Sequence, residues 1–341
     1  MHKVDYVVYI GRFQPFHEGH KVAVDQALKA SRKKVIILVG SSEQPRNIKN
    51  PFTFEERKAM IQMGVMYSDV VIEPLHDYTY NDQRWVEQVQ KIVERCIARD
   101  GWADKDPTIG IIGYNKDETS YYLDMFPQWV KMEHEVNEVI DATDIRALLY
   151  TDKSLKFICG VVDELVLDFL RTFQQSEAFE RLRDEYLFIQ DYKIGWSGTP
   201  YPPTFLTVDA VVIQSGHVLL VERRAQPGKG QLALPGGFVN QYETCENAML
   251  RELREETRLK VPEPVLRGNI KASRLFDDPW RSLRGRTVTQ AFLIELKPGE
   301  LPPVKGGDDA AKAQWVALSD VRQSEMFEDH YHILQWFLGH I

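Results

Sequence analysis

The run Arg251-Glu252-Leu253-Arg254-Glu255-Glu256 places three carboxylates, Glu252, Glu255 and Glu256, at i, i+3 and i+4. On a helix those positions share one face. Carboxylates so close repel one another unless a divalent cation neutralises them, and Mg2+ (or Mn2+) favours such hard oxygen ligands. A metal held this way lowers the pKa of water, which otherwise is a poor nucleophile. Alone, "RELREE" also reads as a solvated face of Glu–Arg pairs. The preceding "LPGGFV" and Glu243 in register favour a site: Gly236 and Gly237 allow close backbone approach, the Gly236 carbonyl is a further metal ligand, and Arg251 orients a carboxylate by an ion pair.

A second constellation is "GRFQPFHEGH", residues 11–20. Gly11 lets the backbone approach a ligand, and Arg12 contributes a fixed cationic fork. His17 and His20 fall near the start of the next helix, where unpaired N–H groups and the helix dipole favour anions. This set suits phosphate groups.

The elements around these residues divide the chain in two. In the front part, "DYVVYI", "KKVIILVG", "VVIEPL" and "TIGIIG" read as strands. They alternate with helical patterns at 20–31, "PFTFEERKAMIQMG" and "NDQRWVEQVQKIVERCIARD", which predicts an α/β fold with a parallel sheet. Four post-strand loops, "GRFQPFHEGH", "GSSEQPRN", "LHDYTYND" and "GYNKDE", should share the rim at the strands' carboxyl ends, where such sheets bind ligands. Residues 152–190 read as helical. "KIGWSGTPYPPTF" (193–205) is rich in Gly and Pro and reads as the junction, with domains at 1–185 and 186–341. Beyond it, "TVDAVVIQSGHVLLVERR" predicts a hairpin, followed by a helix at about 244–258, strands "RTVTQAFLIEL" and "AQWVAL", and a closing helix. That order predicts an α+β domain with a mixed sheet.

The 341 residues, 43% hydrophobic and 27% charged, describe an ordinary globular protein of about two domains. A net charge of −8 argues against general nucleic-acid or anionic-membrane binding. The opening apolar run is too short for a signal peptide, and no stretch is long enough to span a bilayer. Cys96, Cys159 and Cys245 are scattered without metal-ligand or disulfide spacing, which suits a reducing cytoplasm.

Taken together, "GRFQPFHEGH", "PFTFEER", "HDYTYNDQRW", "IIGYNKDETSYYLDMFP" and "DATDIRALL" resemble, in order, the motifs of archaeal-type nicotinamide-mononucleotide (NMN) adenylyltransferases of the H-x-G-H nucleotidyltransferase superfamily. The resemblance covers roughly residues 1–175. It implies a Rossmann-like nucleotidyltransferase domain that joins NMN to ATP, giving NAD and pyrophosphate with Mg2+. It also implies that His17, His20, Arg12, Arg46, Thr143 and Arg146 meet phosphates, that Gly11, Phe13 and Gly113 line the nucleotide site, and that Trp85 stacks on nicotinamide beside Asn81 and Asp82.

Residues 237–259, "GFVNQYETCENAMLRELREETRL", resemble the Nudix box of pyrophosphate hydrolases, with Arg258 where the family places a glycine. "FDDPWRSLRGRTVTQAFLIEL" and "YPPTF" resemble ADP-ribose pyrophosphatases. This implies hydrolysis of ADP-ribose to AMP and ribose 5-phosphate. Arg274 and Arg286, with Arg281 and Arg284, are then candidates for the diphosphate, and Trp196, Tyr201, Phe276 and Trp280 for the base. Asp308 or Asp309 could assist, although a surface turn suits "GGDDA" better. Two alternatives stay open: the rear half as a nonhydrolytic ADP-ribose or NAD sensor, and hydrolysis of NADH or a dinucleoside polyphosphate. The expected partners are small nucleotides (ATP, NMN, NAD, ADP-ribose), and assembly into a homo-oligomer is compatible with the sequence.

Overall fold

The computed structural model describes residues 3–65, 67–102, 104–113, 118–133, 141–151, 154–307 and 310–339. The candidates Asp308 and Asp309 and most of the loop "GYNKDE" lie outside them. The chain forms two compact units, Met1–Arg183 and Asp184–Ile341.

In the first unit the strands are β1 (Val4–Gly11), β2 (Ser31–Val39), β3 (Val70–Pro74), β4 (Ile109–Gly113) and β5 (Val130–Glu133). The helices are α1 (Glu18–Ala30), α2 (Phe54–Gly64), α3 (Asp82–Arg99), α4 (Ala142–Thr151), α5 (Glu164–Phe173) and the start of α6 (Glu177–Ile194). The sheet runs β3-β2-β1-β4-β5 and every pairing is parallel. Strand order reverses between β1 and β4, so the crevice beyond Gly11 and Gly113 is the topological switch point where ligands bind. β1 and β2 are near-continuous apolar runs because helices cover both faces of the sheet. α2 starts where Thr53 and Glu56 exchange side chain-to-backbone bonds, and α3 where Asn81 accepts the Arg84 N–H.

The second unit carries β6 (Thr204–Gln214), β7 (His217–Arg223), β8 (Leu232–Ala233), β9 (Gly236–Phe238), α7 (Cys245–Thr257), α8 (Glu263–Gly268), β10 (Ile270–Phe276), β11 (Arg286–Glu295), β12 (Ala310–Ala317) and α9 (His330–Leu338). Its main path is β10-β11-β6-β7-β12, with β8 on β7 and β9 on β6. β11 and β6 are parallel and the other pairings antiparallel, so the sheet is mixed. Ser215 (φ 47°) and Gly216 (φ 74°) turn the β6–β7 hairpin with the two left-handed residues such a tight turn requires. α7 packs Ala248, Met249, Leu250 and Leu253 onto Val208, Ala210 and Val212 of β6.

Three features differ from the sequence reading. β5, α8 and β10 are additional elements; β5 ("VKME") and β10 ("IKASRLF") are edge strands too polar to signal themselves, and form by pairing with β4 and β11. The division between units falls inside α6, between Arg183 and Asp184, close to the expected boundary at 185/186 and ahead of the segment 193–205. That segment belongs to the second unit, where Tyr192 and Trp196 pack edge-on against Phe205. Finally, Arg258 itself adopts the left-handed conformation (φ 49°, ψ 30°) that ends α7. The last carbonyls of α7 are met by the loop before β12: Lys305 N–H on Thr257 and Gly307 N–H on Glu256, at 2.9 and 3.0 Å.

Left-handed backbone is costly for any residue with a Cβ. Arg258→Gly should therefore raise the stability of this unit by about 1 kcal/mol. Denaturant titration followed by circular dichroism checks this; an unchanged or lower midpoint contradicts it.

Candidate active sites

The first site is assembled around a buried arginine that sequence reasoning did not single out. Arg57, on α2, is 1% exposed. Its guanidinium donates to the carbonyls of Arg12 (2.7 Å), Gly40 (2.6 Å), Ser41 (3.0 Å) and Thr53 (3.2 Å). It thereby ties the loop after β1 to the loop after β2, and burial pushes its pKa down to about 10. The third loop joins through Asp77, which accepts from Ser41 N–H at 3.2 Å and the Gln44 amide at 3.3 Å.

On this frame His17 caps α1 and His20 lies one turn in. Their ring centroids are 3.8 Å apart, and the His17 N–H donates to His20 Nδ1 at 3.4 Å. In the neutral ring that bond leaves the proton on Nε2, a donor suited to a phosphate oxygen. Phe16, Phe13 and Tyr9 pack around His20 and fix its plane. Arg146, 8% exposed on α4, donates to the Gln14 carbonyl (2.8 Å) and Thr143 Oγ1 (3.2 Å). Burial, aided by the nearby Arg12 charge, lowers its pKa to about 10. Two guanidiniums held close against their repulsion, beside a helix start, make a site for anions. Thr143 is exposed on the first turn of α4, and the cap there is Asp141, which accepts the N–H groups of Thr143 and Asp144.

The other expected contributors make the following contacts within the unit. Phe13 is 1% exposed, so its side chain is part of the core. Its ring lies over Gly11: a Cβ on Gly11 would sit 2.8 Å from it. Arg46 makes a bidentate pair with Glu56 (2.7 and 2.8 Å) and donates to the Pro51 carbonyl, so its fork is engaged within the unit. Asn81 is the cap of α3, with its side chain bonded to Arg84 N–H. Trp85 is half-buried against Tyr122 and Phe126, and Gly113 lies beneath Leu123 and Tyr122.

The second site centres on Arg251. Its guanidinium reaches Glu243 (2.6 and 3.1 Å), Glu252 (2.7 Å), Glu255 (3.0 Å) and the Phe238 carbonyl (3.1 Å). The Arg251 bonds to Glu243 and the Asn240 N–H hold its carboxyl down at about 2. Glu252 is cradled by Gly237: a Cβ there would lie 2.5 Å from its carboxylate. Glu256 is 9% exposed and accepts the Gly236 N–H at 3.0 Å. Burial, with the Glu252 charge adding to it, raises its pKa to about 8, against the pull of that N–H. Burial raises Glu252 as well. Two crowded, desolvated carboxylates with raised affinity for positive charge are a donor set that fits a divalent cation. Among the described residues no three His, Cys, Asp or Glu groups converge on one point, and Arg251 pairs with Glu243, Glu252 and Glu255.

The flanking arginines are engaged within the unit. Arg281 is buried in a bidentate pair with Asp329 (2.9 and 2.9 Å). Arg274 stacks on Trp336 and Phe276 at 4.3 and 5.1 Å, and Arg286 bonds the Asp277 carbonyl at 2.6 Å, closing the loop between β10 and β11. Phe276 is fully buried and offers no face to a base, whereas Trp196, Tyr201 and Trp280 are exposed. Phe238, passed over in the sequence, is 42% exposed one residue beyond Gly237, with Arg284 over its ring at 5.6 Å. Asp209 and His330, also passed over, are buried behind Gly236; only their distance in sequence from the glutamates hid them.

The fold and the two sites define a class: a parallel-sheet nucleotidyltransferase domain followed by a Nudix hydrolase domain. Residues 8–148 match the cytidylyltransferase-like family model and residues 203–337 the NUDIX domain model. The chain is 42% identical over 190 residues to a nicotinamide/nicotinic acid mononucleotide adenylyltransferase of Acinetobacter baylyi, covering 54% of this chain and 95% of that protein. It is 34% identical over 133 residues to an ADP-ribose pyrophosphatase of Methanocaldococcus jannaschii, covering 39% of this chain and 72% of that protein. A solved structure of a bifunctional NMN adenylyltransferase/ADP-ribose pyrophosphatase from Francisella tularensis, complexed with AMP and a manganese ion, superposes with a TM-score of 0.89 at 35% identity over 99% of both chains. The chain belongs to this family of bifunctional NMN adenylyltransferase/ADP-ribose pyrophosphatases.

The cradle under Glu252 has a direct consequence. Gly237→Ala should displace that carboxylate and cut pyrophosphatase turnover by about 100-fold while adenylyltransferase activity is retained. Parallel assays of AMP release from ADP-ribose and of NAD formation check this.

Proposed function

We propose that the first unit transfers the AMP group of ATP to NMN by direct in-line attack, and that the second hydrolyses ADP-ribose to AMP and ribose 5-phosphate with Mg2+. The observation that carries the reading is that the buried ionisable groups are of opposite kind in the two sites: basic Arg57 and Arg146 in the first, acidic Glu252 and Glu256, primed for a cation, in the second.

In the first reaction the attacker is the 5′-phosphate of NMN, whose second pKa, like that of other phosphate monoesters, is about 6. It is already anionic at neutral pH and needs no general base. A phosphate oxygen of NMN bonds to the α-phosphorus of ATP as the bond to pyrophosphate breaks. The task is alignment and neutralisation of charge. Arg12 and Arg146 neutralise phosphates from two sides, the N-terminus of α1 and His17 hold them, and His20 Nε2 donates to an oxygen that gains charge at the transition state. Thr143 lines the start of α4, and Trp85 presents its half-buried ring to the nicotinamide. ATP brings its Mg2+ to this site.

In the second reaction the attacker is water, and acids are needed. Glu252, Glu255 and Glu256, with the Gly236 carbonyl, would hold the cation. Bound there, it supplies a water of lowered pKa and neutralises diphosphate oxygens. Arg251 keeps Glu252 and Glu255 aligned, and the Gly236 N–H fixes the rotamer of Glu256. Phe238 and Arg284 stand beside this centre, where the adenosine of ADP-ribose would lie.

Two substitutions test the assignments. His20→Ala should lower kcat for NAD formation about 100-fold with the KM for ATP little changed; steady-state kinetics showing a near-normal rate removes His20 from the role. Glu256→Gln should abolish AMP release from ADP-ribose and leave NAD formation intact, and AMP released at the wild-type rate overturns the assignment.

A further inference from the structure

His330, on the first turn of α9, is 6% exposed and far in sequence from the glutamates of α7. Its Nδ1 accepts the Leu234 N–H at 2.9 Å. The ring proton therefore sits on Nε2, which faces the Asp209 carboxylate at 3.8 Å. Burial favours this neutral form. Asp209 is held in turn by Thr289 Oγ1 at 2.6 Å.

Leu234 is the first of three consecutive residues tied to three different elements. The Leu234 N–H goes to His330 of α9, the Pro235 carbonyl accepts the Ala210 N–H of β6 at 2.8 Å, and the Gly236 N–H goes to Glu256 of α7 at 3.0 Å. Gly236 has no slack in this arrangement: a Cβ there would lie 2.1 Å from the Val208 carbonyl and 2.6 Å from Asp209 Oδ1. A shift of Leu234 is thus passed along two peptide units to the hydrogen bond that fixes the Glu256 carboxylate. His330 is itself anchored, since the adjacent Asp329 is locked in its buried pair with Arg281.

We propose that His330 is a positioning residue of the hydrolase centre: by accepting the Leu234 N–H it fixes the bridge Leu234-Pro235-Gly236 that holds Glu256 in place. The inference rests on the pyrophosphatase reading of this unit. It assigns the C-terminal helix a part in the reaction without contact with substrate. A supporting residue of this kind acts on turnover and metal affinity, because it sets the angle of a ligand and not the shape of the nucleotide pocket.

The test compares His330→Ala with His330→Asn in the full-length protein. Asn offers a carbonyl oxygen near the position of Nδ1 and should restore the bond. Expected for the Ala variant are a fall in kcat for ADP-ribose hydrolysis of about tenfold or more, a KM within about threefold, and a comparable weakening of the manganese binding that Glu256→Gln removes. The Asn variant should recover most of both, and NAD formation should be unchanged in each. A merely structural role predicts a lower melting temperature with normal kcat and normal manganese affinity, and that result overturns the proposal. So does an Asn variant that folds yet behaves like the Ala variant. If the Ala variant does not fold, the Asn variant decides alone by keeping or losing turnover. Wild-type protein that releases no AMP from ADP-ribose would overturn the pyrophosphatase reading itself, and the manganese titration would still judge His330.

Discussion

An ionisable group removed from water must be met by polar partners, and each unit is organised around one such meeting. In the first, the Arg57 guanidinium is buried against four backbone carbonyls drawn from the loops after β1 and β2 and from the start of α2. In the second, the Glu256 carboxylate is buried against the Gly236 N–H that follows β8. Neither side chain could stay buried without those partners. The partners in turn cannot move without orphaning a buried polar group. The loops that carry chemistry are thereby made rigid by groups lying behind them.

These groups, basic in one unit and acidic in the other, match opposite chemical problems. An NMN phosphate arrives as a competent nucleophile, and cationic and hydrogen-donating groups are enough to bring it against ATP. Water does not, and a cluster of acids is the means of concentrating positive charge where it must be activated. Arg251 shows how far this goes in the second unit. One guanidinium serves Glu243, Glu252, Glu255 and a backbone carbonyl, so three carboxylates are oriented by one cation fixed within the protein.

Much of this was legible from local pattern. The strands β1 to β4 and β6, β7, β11 and β12, the helices between them, and the shared face of Glu252, Glu255 and Glu256 all follow from periodicities of two and 3.6 residues. The edge strands β5 and β10 were not legible, because their stability comes from a neighbour and not from their own apolar content. The arginines were the least readable group. Arg46, Arg274, Arg281 and Arg286 look alike in sequence as anion binders, yet Glu56, Trp336, Asp329 and Asp277 engage them. A guanidinium serves carboxylates, aromatic faces and carbonyls equally well, and only proximity selects among them.

What the sequence determined by itself is which residues share a helix face or leave a strand end, since those relations depend on spacing along the chain. Whether a group is buried, and what it then touches, was decided by tertiary structure alone. Arg57 meets Gly40 and Arg12, Glu256 meets Gly236, and His330 meets Leu234 across stretches of chain that no local period connects. The reason is physical: the energy of a desolvated charge or hydrogen bond depends on what packing brings beside it, and packing is a property of the whole sheet and its helices.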